Sequence, residues 1–226
     1  MKRVLFLGLL VGLIPSLSIA ADTWPDAFSR RDYKLGMSLK EFRKAPFPDR
    51  AKDPGAFVAC SNDAIADRSG YEDIKFISER FISAHVVKCM HYFTDQIGTM
   101  TSVYSAGLGL ADQMVATSFY FIPADDKELR LFWIVTEGPS ASFASLAPIM
   151  FKAYGAPEHQ VTTWQNQAGN TFPNDIYIWK KGGSSIELSH FGDTVQKFSM
   201  QHTLEPLMAK FNAVAADYNA KMAKKL

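Results

Sequence analysis

The chain has 226 residues, 47% of them hydrophobic, with 17 Phe, 8 Tyr and 4 Trp; this suffices for a packed core and excludes global disorder. Its 24 Lys and Arg against 23 Asp and Glu leave a formal charge of +1, too little field to hold a phosphate backbone, so nucleic acid is not an expected partner. Two cysteines, Cys60 and Cys89, are too few for a disulfide scaffold and enough for one bridge.

The first twenty residues have the layout of a secretory signal peptide. Met1, Lys2 and Arg3 are followed by an apolar run from Val4 to Leu17, and Ser18-Ile19-Ala20 supplies small residues before a cut after Ala20. The run is shorter than the roughly 20 residues that cross a bilayer, and Pro15 interrupts it. The mature chain is expected to begin near Ala21, with 22 basic and 23 acidic residues, and to be soluble in the periplasm or secreted. No Cys follows the cut to accept a lipid, and no later stretch reaches membrane-spanning length. In an oxidising compartment Cys60 and Cys89 are expected to form a disulfide, with two buried thiols or a metal site as the alternatives. The bridge would close a loop of about 30 residues, worth roughly 3–4 kcal/mol by chain entropy. The pair is not C-x-x-C, which disfavours a thioredoxin-type role.

Ser38-Leu39-Lys40-Glu41 is a capping box that starts a short helix, and Pro46 and Pro48 end it. Asp49 to Ser69 carries turn-forming residues and reads as a long connection, with helical turns near Ala64–Asp67 an open alternative. Ile82–Tyr92, Met100–Leu108 and Val115–Ile122 are rich in β-branched and aromatic residues and read as strands. Pro123-Ala124-Asp125-Asp126 turns into Leu129–Val135, where Leu129, Leu131, Trp133 and Val135 are expected on one face. Phe143, Leu146, Met150, Phe151 and Tyr154 mark a second helix, stopped by Gly155 and Pro157 and bent at Pro148. Val161–Gln165, Ile176–Lys180, Ser184–Ser189 and Val195–His202 follow as strands, with Gly182-Gly183 making a hairpin. A long apolar stripe, Leu204, Leu207, Met208, Phe211, Val214, Ala215, Tyr218 and Met222, closes the chain as a helix capped by Thr203. The expected class is α+β, with antiparallel sheets and a C-terminal amphipathic helix. Residues 21–226 form one exported domain, with two halves at about 35–137 and 138–226 as a finer division.

Tyr154-Gly155-Ala156-Pro157, then Trp164, then the hairpin from Trp179 to Leu188 resemble exported bacterial domains of the β-lactamase-inhibitor-protein-like fold and the SmpA/OmlA type. Gly36-Met37-Ser38-Leu39-Lys40-Glu41 resembles the helix start of the same domains. The chain departs from them in lacking a lipid-acceptor Cys and in ending its first helix with Ala45-Pro46-Phe47-Pro48. The resemblance implies a binding or assembly role without catalysis, and names no partner.

Sites of other kinds find little support. His85, Cys89 and His91 share strand parity, which two imidazoles and a thiolate would need to hold zinc, but a disulfide Cys between two partly exposed histidines is the preferred reading. Gly107-Leu108-Gly109-Leu110-Ala111 lacks the third Gly of a dinucleotide loop, and Lys180-Lys181-Gly182-Gly183-Ser184-Ser185 has the wrong order for a phosphate loop. No G-x-S-x-G, H-E-x-x-H or Ser-x-x-Lys is present, so no catalytic, cofactor or metal residue is assigned. A small envelope hydrolase with a site built from non-adjacent residues is the alternative to a binder. Trp133, Trp164, Tyr177 and Trp179 are the candidate binding surface, for an unknown protein or peptide ligand in the cell envelope.

Overall fold

The computed structural model describes residues 24–49, 51, 55–75 and 77–224, so the expected signal peptide lies outside the described residues. The chain is α+β. Two short strands, β1 (Ser29–Arg30) and β2 (Tyr33–Lys34), precede helix α1 (Leu39–Lys44). There the expected capping box is present: Glu41 N–H donates to Ser38 Oγ, and the Ser38 N–H donates to the Glu41 carboxylate at 2.7 Å. Strand β3 (Phe57–Cys60), a 3₁₀ turn (Ala64–Asp67) and helices α2 (Glu72–Lys75) and α3 (Glu79–Ser83) lead to β4 (Val87–Ile97). Then come β5 (Met100–Ser105), β6 (Leu108–Leu110), β7 (Gln113–Pro123), β8 (Leu129–Pro139) and α4 (Phe143–Tyr154). The chain closes with β9 (Glu158–Gln165), β10 (Thr171–Lys181), β11 (Ser184–Ser189), β12 (Lys197–Leu204) and α5 (Glu205–Ala223).

Ten strands form one antiparallel sheet in the order β3-β4-β7-β8-β12-β11-β10-β9, with β5 added to β4 and β6 to β7. The two sequence halves thus share a sheet, joined where β12 pairs with β8. Each ladder places opposed residues on the same face. Phe119, Ile134, His202, Ile186 and Trp179 form one row across five strands, and Ser118, Val135, Gln201, Glu187 and Ile178 form the row behind it. The first face is covered. Tyr33 and Phe42 lie over Phe119 and Phe121, with ring centroids 4.8 and 5.1 Å apart, and α4 sets Phe143 and Phe151 against Tyr177. The second face stays open except at two places. Phe81 of α3 stacks over Trp133 and is itself stacked on Phe211 of α5, and the 3₁₀ turn with α2 buries Ala59, Tyr71, Ile74, Met90 and Tyr92 as a small second core.

Five expectations change. Residues 82–92 are not one strand: α3 ends at Ser83 and β4 begins at Val87, because Phe81 docks on α5 while Ile82 points outward, half exposed. Residues 100–108 split into β5 and β6, which pair with different strands. Strand β3 arises inside the stretch read as a connection, held by Cys60 opposite Cys89. A register shift at Tyr120 and Phe121 puts Leu131 on the covered face and Trp133 on the open one, so Leu129 to Val135 do not share a face. The C-terminal helix buries Leu207, Phe211 and Ala215 of its stripe, but Met222 at its end is exposed, and Leu204, the last residue of β12, takes the cap position expected of Thr203 without a side-chain bond. Helix α4 begins before Pro148 and continues through it.

The disulfide between Cys60 and Cys89 is formed. With Cys89 committed, the zinc set does not assemble. His85 sits in a turn before the strand with φ +54°, and His91 bonds Tyr33 Oη at 2.9 Å. No group of His, Cys, Asp and Glu suited to a metal occurs among the described residues.

Candidate functional site

The open face carries a cleft of about 350 Å³ built on β7, β8 and β12. Its wall is aromatic. Tyr120 of β7 and Trp133 of β8 are cross-strand partners with ring centroids 4.8 Å apart, and Phe81 stacks on both. The bulge in β8 is what turns Trp133 to this side. The floor is mostly polar, with Ser118, Ser199 and Gln201 around the apolar Val135. Gln201 Oε1 accepts from Trp133 Nε1 at 3.0 Å, which fixes the indole and leaves the Gln201 amide N–H₂ for another partner.

Charge is distributed along the cleft. Lys88 lies opposite Tyr120 on β4, its Nζ 5.7 Å from the ring centroid and donating to the Asp73 carbonyl at 2.6 Å. Burial lowers its pKa. Arg80 joins it on the same rim. Glu137, four residues beyond Trp133 on β8, and Asp193 line the other end, where Lys197 meets Glu137 at 3.4 Å. Burial pushes the Tyr120 hydroxyl up to about 12, far from the range of an acid or base at neutral pH. Glu187, opposite Gln201 on β11, extends the face; burial raises its pKa, and no ion pair reaches it among the described residues. No histidine lines the cleft.

The four aromatic residues expected to form one surface are divided by the sheet. Trp133 stands in the cleft. Trp164 is on the same face near the far edge, half-buried beside Phe172 and Phe191, with Nε1 donating to Gly192 O at 3.1 Å. Tyr177 lies on the covered face under Phe143 and Phe151. Trp179 is also on the covered face, only 4% exposed, with Nε1 donating to Gly155 O at 2.9 Å; it is core. The residues that complete the cleft, Tyr120, Lys88, Glu137 and Gln201, carry no motif. Only the parity of β7 and β12 could have marked them, and the bulge in β8 hides their relation to Trp133.

A larger groove of about 800 Å³ lies on the covered side, between Ala27–Ser29, the end of α4 and Ile178–Lys181. Its aromatic groups are already engaged. Phe28 packs edge-on against Tyr154, and its remaining walls include Ala27, Ala153 and Ala156. Beneath this side Arg30 is buried, with Nη2 donating to Gly109 O at 2.8 Å. Burial, with Arg31 nearby, lowers its pKa to about 10. The Gly109 N–H donates to Asp49 at 2.7 Å, and a Cβ there would lie 2.6 Å from Arg31 Nη2. Gly109 is therefore a strand residue clamped between the Arg31 and Asp49 side chains, with no space above it for a cofactor phosphate. Gly182 and Gly183, with φ +55° and +71°, make the hairpin turn read from the sequence.

Searches against protein-family models, curated proteins and solved structures find no match for this chain.

Proposed function

We propose that the mature protein, beginning near Ala21, is a soluble binding protein of the periplasm or extracellular space whose open-face cleft takes a peptide or protein segment. The observation that carries this reading is the cleft itself: half-exposed aromatic rings, a mostly polar floor and rims of opposite charge on a rigid sheet. Such a mixture suits a polypeptide, which offers apolar side chains, amides and charges together. The formed disulfide fits an oxidising compartment, and no helix among the described residues is long and apolar enough to cross a membrane. The likeness of Tyr154-Gly155-Ala156-Pro157 to exported inhibitor and assembly domains points the same way.

A displayed library of random linear peptides, panned against the processed protein, tests this. Enriched peptides are expected to lose about tenfold or more in affinity with Trp133→Ala or Gln201→Ala. They should be unaffected by Lys181→Ala on the groove side. No enrichment, or binding indifferent to Trp133, would refute the reading.

A further inference from the structure

The sheet ends in β9, an eight-residue strand that pairs on one side only, with β10. Seven of its eight residues are exposed, and Val161 is 61% exposed. Edge strands are usually blunted by Lys, Pro, bulges or a covering segment. Among the described residues none of these protects β9. Its register with β10 is continuous from Glu158 to Gln165, and Gln160-Val161-Thr162-Thr163-Trp164-Gln165 carries no charge, Pro or Gly. An uncharged window of this kind pairs with other chains when left bare.

The direction of its free hydrogen-bonding groups follows from the hairpin. Asn166 N–H donates to Asn170 O at 3.0 Å, so that pair is hydrogen-bonded. Pairs alternate along an antiparallel ladder. Trp164, Thr162, Gln160 and Glu158 therefore bond β10, while His159, Val161, Thr163 and Gln165 turn their N–H and C=O outward. Pro173, which has no N–H, fits this alternation: it lies opposite Thr163, at a pair that exchanges no bonds.

We propose that β9 pairs with β9 of a second copy of this chain, antiparallel about a two-fold axis at Thr162. In that register Val161 lies opposite the partner's Thr163, and His159 opposite the partner's Gln165. Every outward N–H and C=O of the four odd-numbered residues then finds a mate. Gln160 faces the partner's Trp164, Thr162 faces the partner's Thr162, and Glu158 faces the partner's Asn166, so no like charges oppose. A two-fold axis at Val161 would instead set Gln165 against the partner's Pro157, which has no N–H to give. One symmetric register that mates every outward backbone group and opposes no like charges favours a second copy. One strand pair buries less than the roughly 1,200–2,000 Å² of a stable complex, so the dimer is weak and concentration-dependent. This goes beyond the binding reading, since the cleft and β9 are separate surfaces of the sheet.

Sedimentation velocity of the processed protein across a wide concentration series is the test. A reversible monomer–dimer equilibrium is expected. Thr163→Pro removes an outward N–H and should give a monomer at every concentration, with the melting temperature of its own fold unchanged. Val161→Lys should do the same by charging the edge. Thr162→Pro removes an inward N–H and should lower the melting temperature markedly. A wild-type monomer throughout, a dimer indifferent to Thr163→Pro and Val161→Lys, or equal melting losses from the two prolines would overturn the proposal.

Discussion

The two ends of the sheet solve the same problem differently. At one end β3 is only four residues long, and Cys60 is bonded to its cross-strand partner Cys89. The 3₁₀ turn and α2 fold over it, burying Ile74 and Tyr71 against Ala59, Met90 and Tyr92. At the other end β9 is twice as long and exposed along nearly its whole length. Edge protection here is covalent and hydrophobic on one side and absent on the other. An unprotected edge beside an open, aromatic face is a surface arranged for contact.

Four perturbations break or sharpen this contrast, in falling order of effect. Replacing both Cys60 and Cys89 by Ser should cost roughly 3–4 kcal/mol in urea unfolding. It should also speed amide exchange in β3 while leaving the β9–β10 hairpin unchanged. Ile74→Ala empties part of the small second core and should cost about 2–4 kcal/mol by the same measurement, because the side chain is fully buried. Acid should act next, partly at the protected end. His91 of β4, opposite Val58 of β3, is held by burial at about 4, and His202 of β12 by burial and Arg30 at about 3. Both lie below the ordinary value of 6.5, so the unfolded chain takes up these protons before the folded one does. Their contribution is complete above that value and is lost as pH falls through it toward the folded values. Each should remove up to about 2 kcal/mol between pH 6.5 and 5. Urea midpoints at pH 7 and 5 should show the loss, and His202→Leu should make it smaller. Val161→Ala, at the bare edge, should change unfolding by less than about 0.5 kcal/mol, as an exposed side chain with little packing to lose.

What the sequence made legible was what neighbours in the chain decide. The capping box at Ser38, the turn at Gly182-Gly183 and the stripe of α5 depend on residues a few positions apart, and all three are present. What it hid depends on distant contacts. Strand β3 exists because Cys60 pairs with β4, α3 because Phe81 docks on Phe211, and the reversal between Leu131 and Trp133 because of a register shift against β7. The candidate site follows the same division. Trp133 and Trp164 were recognisable by type, but Trp179 carries the same signal and is core. Gln201 and Tyr120, which complete the cleft, look like ordinary strand residues until β7, β8 and β12 are side by side.

The central claim is that the open face, not the groove beneath α4, receives a polypeptide. Amide exchange of the processed protein with and without a library-selected peptide locates the contact directly. The account predicts slowed exchange in β7, β8 and β12 around Ser118, Val135 and Gln201, with Ala27–Ser29 and the end of α4 unchanged. Protection confined to Ala27–Ser29 and Trp179–Lys181 would contradict it.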